Sequence, residues 1–311
     1  MNNILKSMFS SGFFYALIRV TTPILFATIG GSISNMAGVN NIALEGMMLV
    51  AGFVGVVVSA FTQSLLLALV AGVAAAIVLG VILAFFSLKL KADIYIAAIA
   101  LNMFASGATV FFLYLTAHDK GSSAASLKSL VMPDLVIPGL QKVPVIGWLL
   151  GHNIMSYVAI LAVILYWLIL YHTSLGLRIR AVGQNPDAAA SVGVSVFKTQ
   201  FTALMLSSVF AALGGIYLCM GYLSWFGRDI TSGRGFIGVA AAALGRSTPT
   251  GSLLASLLFG LVMTISIYMG SLNMPTELIE ALPYIATVLA LVIYSARQTR
   301  AAHRKQEEPK S

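Results

Sequence analysis

Glu45 is a carboxylate where a carboxylate is costly. It is followed from 46 to 88 by residues without charge, and Asn40 and Asn41 stand just before it. In hydrocarbon such groups mark a solute or ion pathway, or they satisfy backbone groups where a helix is broken. Two readings of Glu45 follow. It is a pathway or coupling residue, or it caps a broken helix or pairs with a neighbour such as Arg19. Asn102, inside the uncharged stretch 94–117, reads first as an interhelical hydrogen-bonding group and second as a solute contact. Enzymatic chemistry is not written here. The chain has no H-E-x-x-H, G-x-S-x-G or G-x-x-x-x-G-K-[ST] run, so no catalytic residues, no metal and no cofactor of its own are expected. His118, His152, His172 and His303 fall in loops or at helix ends. The single cysteine, Cys219, reads as a small residue packed inside a helix.

The solvent around these residues follows from composition. Of 311 residues, 59% are hydrophobic and 9% charged, whereas soluble domains carry roughly 25% charged residues. A soluble enzyme, a disordered chain and a coiled coil are excluded. Continuous apolar runs, rather than alternating ones, argue against an outer-membrane barrel. The expectation is an all-α, polytopic transmembrane helical bundle of about 9–10 membrane segments. Nine can be placed, at 13–34, 39–61, 64–88, 93–117, 153–172, 199–223, 235–246, 250–270 and 281–296. The stretch 46–88 holds two crossings with a turn near 61–64, since one crossing needs about 20 residues. Arg19 interrupts the first apolar run and no small-residue cleavage site follows it, so no cleavable signal is expected. The chain reads as one transmembrane domain over 1–296 and a polar cytoplasmic tail over 297–311.

The net charge is +8, but the basic residues sit between apolar runs, which points to membrane orientation and not to nucleic acid. With 173–198 cytoplasmic, alternation places eleven Lys and Arg inside against five outside, Lys120, Lys128, Lys142, Arg228 and Arg234, with Asp229 also outside, as the positive-inside rule requires. The C-terminus is then cytoplasmic in a bacterial cell membrane. The side on which Met1 lies stays open.

Two segments are interrupted. The twelve residues 235–246 span about 18 Å of helix, short of a hydrocarbon core of about 30 Å, and are flanked by Gly233, Gly235, Gly238, Gly245, Pro249 and Gly251. The 35–46 region has the same polar, glycine-containing character. Each half of the chain thus holds one interrupted piece followed by a long apolar helix, which suggests two structural repeats with a pathway between them. Small residues at Gly251 and Ala255, and at Ser252, Ser256 and Gly260, have the spacing of close helix packing.

The loop 173–198 contains a further short element. Asn185 is a good N-cap, Pro186 a good first helical residue, and Asp187 complements the helix dipole. Ala188 to Val192 continue the helix and Gly193 can end it. Its alanine-rich surface fits a groove on another protein, with Arg178 and Arg180 beside it to meet acidic groups or lipid headgroups. An ordinary interfacial loop helix is the alternative.

These residues carry a family likeness. The run from Gly176 to Ala189 (GLRIRAVGQNPDAA) resembles the cytoplasmic coupling segment of permeases in bacterial ABC importers of the ribose and branched-chain amino acid type. Gly38 to Leu49 (GVNNIALEGMML), Gly233 to Ala241 (GRGFIGVAA), Pro249 to Gly251 and Pro283 to Thr287 are similar to other signatures of that family. The pattern is most similar to nucleoside-type permeases. Gly238 with Val239 departs from it, where a larger or more alanine-like pair is expected. The resemblance implies a permease that pairs with a second, non-identical permease among membrane lipids. It implies an ATP-binding subunit holding ATP and Mg²⁺, and an external substrate-binding lipoprotein. Coupling to the ATPase would fall on Gly176, Leu177, Arg178, Arg180, Gly183, Asn185, Pro186, Ala188, Ala189 and Gly193. The translocation pathway would fall on Asn40, Asn41, Glu45, Asn102 and Phe236. The implied solute is a nucleoside, with ribose or another simple sugar as the alternative. From another class, an ion-coupled secondary transporter would rest on Glu45 alone.

Overall fold

A computed structural model describes residues 11–135, 151–270 and the isolated positions 285, 288 and 292. The tail 297–311 and most of the segment expected at 281–296 lie outside the described residues. Among those described, seven helices are long and apolar enough to cross a membrane. They are α1 (Ser11–Met36), α2 (Leu44–Thr62), α3 (Leu65–Ala84), α4 (Ile94–Ala117), α5 (Ile154–His172), α8 (Val196–Tyr217) and α10 (Pro249–Met269). Three shorter ones are α6 (Ser174–Gln184), α7 (Pro186–Ser191) and α9 (Arg234–Leu244). Wider π turns extend α3 over Phe85–Lys89 and α8 over Leu218–Tyr222. The bundle is helical, as composition required, and both interrupted regions are present: 37–43 is non-helical and α9 is short.

The turn expected near 61–64 forms as two caps. Gln63 takes a left-handed conformation after α2, and the Ser64 hydroxyl accepts the Leu67 N–H. Elsewhere the ends are closed by Asp93, Asn153, Thr173, Asn185, Ser195 and Thr248, each accepting from the first turn of its helix. These caps satisfy N–H groups that lipid cannot.

α1 runs through the centre, flanked chiefly by α8, α9 and α10, with α5 alongside. Its buried hydroxyls bind its neighbours: Ser32 with Ser252 at 2.8 Å, Thr28 accepting from Ser256 at 2.9 Å, and Thr22 donating to Ser156 at 3.2 Å. Hydrocarbon gives no hydrophobic drive between helices, so close approach and such bonds hold the bundle. The small residues at 252, 255, 256 and 260 are the face of α10 turned to α1 and α9, as their spacing predicted. Gly238, the departure from the family pattern, has a packing reason. A Cβ there would lie 2.5 Å from the Ala27 Cβ, so α9 rests directly on α1. Cys219 is fully buried in the π turn after α8, against Gly52.

α1 starts beside the 118–153 region, where the Tyr15 hydroxyl donates to the Gly151 carbonyl, and ends beside α6, where Met36 meets Gly183. With 173–198 inside, α1 therefore runs from the outer side to the inner side.

One expectation needs correcting. The residues 173–184 read as loop, yet Ser174–Gln184 is a helix. Its two glycines lower helix propensity, but both are contact points. Gly176 presses on the carbonyls of Ile169 and Leu170, and Gly183 presses on that of Met36.

Gly215 of α8 faces the Met48 carbonyl with no room for a Cβ, while Gly107 has open space. Gly215→Ala is expected to destabilise by about 1–3 kcal/mol, and Gly107→Ala to be neutral or to stabilise by about 0.5–1 kcal/mol. Thermal unfolding of both variants in detergent, compared with the parent chain, checks this.

Candidate functional site

The break at 37–43 has to find partners for its polar groups, and it recruits them from α4 and α8. Asn41 is buried. Its Oδ1 accepts the Ala43 N–H at 3.0 Å and its Nδ2 donates to the Ser207 hydroxyl at 2.9 Å. Asn102 of α4 spans the restart of the helix. Its Oδ1 accepts the Gly46 N–H at 2.8 Å and its Nδ2 donates to the Ile42 carbonyl at 3.0 Å. Gln200 of α8 donates to the Ala37 carbonyl at 3.3 Å. Asn40 reaches the other way, donating to the Tyr95 hydroxyl at 2.8 Å.

Glu45 lies in the first turn of α2, yet it caps a different helix. Its carboxylate accepts the N–H of Gly233 at 2.8 Å and that of Gly235 at 2.6 Å, both at the start of α9. Free N–H groups and the positive end of the dipole favour an anion there. The glycines permit it: Gly233 has φ +76, and a Cβ on Gly235 would stand 2.5 Å from the Glu45 nitrogen. The cap offered for Glu45 is formed, on the start of a distant helix. Arg19 is engaged elsewhere, its guanidinium 4.3 Å over the Tyr222 ring and donating to the Tyr222 carbonyl.

These contacts converge on one face of α4. Tyr95, Asn102 and Ser106 are spaced by seven and four residues, so they share a stripe. The first two meet the break at 37–43. Ser106 donates to the Asp229 carboxylate at 2.7 Å, in the turn before α9. A cavity of 160 Å³ lies at the Tyr95 end of this seam, lined by Gly31, Asn35, Asn40, Asn41, Tyr95 and residues of α9. Asn40, Glu45 and Asn102 thus come together in one polar seam. Asn41, buried, lines the cavity while its amide bonds Ser207 of α8, and Phe236, beside Gly235, is half exposed. Sequence reasoning missed Tyr95, Ser106 and Asp229. Their signal was the 95–102–106 spacing of polar side chains along an apolar helix.

The coupling residues divide by direction. Asn185 caps α7, its Oδ1 accepting the Ala188 N–H at 3.0 Å, with Pro186 at the first position and Gly193 at φ +84 closing the turn. Ala188, Leu177, Arg178 and Val192 are exposed, Val192 at 78%. Ala189 was expected on the outward alanine surface. It is buried, because successive residues of so short a helix face different sides and this one faces the bundle. Gly176 and Gly183 also face inward, and Arg180 lies near the Tyr171 ring. Gly183 touches Gly38 as well as Met36, so the α6–α7 unit leans directly on the start of the break.

Residues 13–291 match the family described as branched-chain amino acid transport system / permease component. The chain is 34% identical to the guanosine ABC transporter permease protein NupQ of Bacillus subtilis, over 91% of each chain. It is 30% identical to the guanosine ABC transporter permease protein NupP of the same organism, over 89% of this chain and 78% of that one. It is 32% identical to a putative glucose ABC transporter permease protein of Haloferax volcanii, over 86% and 81%. Among solved structures, PsaBC from Streptococcus pneumoniae in complex with Fab shares the fold, with a TM-score of 0.56 at 12% identity over 93% and 94% of the two chains.

Glu45→Gln leaves one acceptor for two N–H groups. We expect it to cost about 1–2 kcal/mol of the α9 cap, to speed amide exchange at Gly233 and Gly235 roughly tenfold, and to leave membrane insertion intact. Hydrogen exchange followed by mass spectrometry of the 228–244 segment checks this.

Proposed function

This chain belongs to the branched-chain amino acid transport system / permease component family, and on that premise we propose that it is the membrane subunit of an ABC importer for nucleosides. It forms part of the translocation pathway and takes its energy from a separate ATP-binding subunit. The observation that carries the reading is the polar seam on α4. Two interrupted segments, from distant parts of the chain, both end against one stripe of polar side chains. In hydrocarbon such a stripe is stable only beside water or protein.

The exposed surface of α6 and α7 supports an ATPase contact. Leu177, Ala188 and Val192 are exposed apolar side chains on it, and behind them Gly183 of α6 touches Met36 and Gly38. A load on this surface would reach the break at 37–43 through that contact. ATP and Mg²⁺ belong to the partner subunit, and an external lipoprotein delivers the solute. The likeness to two different guanosine permeases of one organism supports pairing with a non-identical permease. The likeness to a glucose permease favours a second reading, a simple sugar as solute.

The use of Glu45 speaks against ion coupling by that residue, since both carboxylate oxygens hold backbone N–H groups. The chain is a multi-pass membrane protein. We place its C-terminus in the cytoplasm, from the distribution of Lys and Arg.

Proteoliposomes holding this chain with its second permease, its ATP-binding subunit and its lipoprotein test the proposal. Expected is ATP-dependent uptake of labelled guanosine, reduced by excess unlabelled nucleoside and not by glucose or ribose. Uptake driven by an ion gradient without the ATPase would overturn it, and competition by glucose alone would reassign the solute. Val192→Asp, which puts a charge into the proposed docking patch, is expected to lower uptake at least about fivefold, on the scale of one disrupted contact residue. Unchanged ATPase binding in pull-down from membranes would remove that patch from the interface.

A further inference from the structure

The turn before α9 holds a charged pair in an unusual place. Asp229 Oδ1 accepts the Ser106 hydroxyl at 2.7 Å, and Asp229 Oδ2 lies 3.4 Å from Arg228 Nε. Sequence alone assigned both residues to an outer loop. Ser106, however, is the thirteenth of 24 residues in α4, about 18 Å along a helix about 36 Å long. The carboxylate is therefore held half-way through the bundle. The side chains of Arg228 and Asp229 remain 65% and 53% exposed. A charged side chain at the bilayer centre costs about 2.5–3.5 kcal/mol on insertion scales, so this exposed face is turned to water or to polar solute and not to lipid.

The pair is held from several sides. Phe226 is fully buried against Phe53, the Phe226 N–H donates to the Ser123 hydroxyl, and the Arg228 N–H donates to the Gly121 carbonyl at 2.8 Å. Asp229 sits at φ +48 and its carbonyl accepts the Ser232 N–H. The carboxylate keeps free lone pairs, and the guanidinium keeps donors beyond Nε. Together they carry no net charge, so they favour neither anions nor cations. An acceptor beside a donor suits neighbouring hydroxyl groups, each of which can donate to the carboxylate and accept from the guanidinium. Carboxylates elsewhere recognise ribose hydroxyls in this way.

We propose that Asp229, positioned by Ser106 and accompanied by Arg228, forms a subsite of the pathway that recognises a vicinal diol of a neutral solute. This rests on the importer reading and deepens it. On the nucleoside reading the diol is the ribose 2′,3′ pair; on the sugar reading it belongs to the sugar itself.

The test uses the full complex in proteoliposomes, with guanosine and 2′-deoxyguanosine as probes, for the parent chain, Asp229→Asn and Ser106→Ala. The lipoprotein is the same throughout, so a change in the ratio of the two uptake rates belongs to the permease. Expected is a fall of roughly tenfold in guanosine uptake for Asp229→Asn, the scale of a hydrogen bond to a charged group. Uptake of 2′-deoxyguanosine should change less than about twofold, and Ser106→Ala should have a smaller effect in the same direction. An equal fall for both probes, no fall for either, or loss of the second permease on size-exclusion chromatography would overturn the subsite, the last by making the pair an inter-subunit contact. If the parent complex carries glucose and no nucleoside, the nucleoside reading fails. The subsite is then judged by glucose against 2-deoxyglucose, where the same selective fall is required.

Discussion

The contact between the Glu45 carboxylate and the first N–H groups of α9 is the constraint on which the rest of the seam depends. It joins the start of α2 to the start of α9 across 190 residues of sequence. Each side solves a problem of the other. A short helix inside the bundle exposes N–H groups that lipid cannot satisfy, and a carboxylate left unpaired in the bundle is costly. Pairing them removes both costs and fixes where the two interrupted segments meet.

Once that junction is set, the remaining polar groups follow. Asn102 closes the restart of α2, Asn41 locks the break to α8, and Asn40 reaches Tyr95. Asn41 and Asn102 meet backbone groups that a regular helix would have satisfied for itself, and Asn40 and Asn41 also bond hydroxyls of α4 and α8. At the other end Gly183 and Gly38 bring α6 against the break, so the exposed surface of α6 and α7 stands next to the seam. On the outer side the loop after α4 folds back over the turn at 226–229. The seam is thus framed by elements held at both ends.

Much of this was legible in the sequence. The Asn185–Pro186–Asp187 run specified a short capped helix because capping is a matter of a few neighbouring residues. The length of 235–246 announced a helix unable to cross. Asn102 was read as an interhelical group, and Glu45 as a cap or a pathway residue. The rest was hidden for a physical reason. Gly176 and Gly183 look like helix breakers until the carbonyls they touch are known. Ala189 looks like its outward neighbours, because alanine carries no mark of direction. Asp229 was counted as an outer residue, since the backward fold that brings it to Ser106 is made by contacts with Gly121 and Ser123.

The sequence by itself determined that this chain dissolves in a bilayer, how many long helices the described part builds, and which two segments are interrupted. Those properties depend on transfer of side chains and on local backbone preference, which act over a few residues at a time. Only the tertiary structure decided which N–H groups Glu45 holds, which face of α4 is polar, and that an ion pair stands at the middle of the bundle. Those outcomes depend on where distant segments come within hydrogen-bonding reach, and hydrogen bonds act over about 3 Å, a distance that spacing along the chain does not encode.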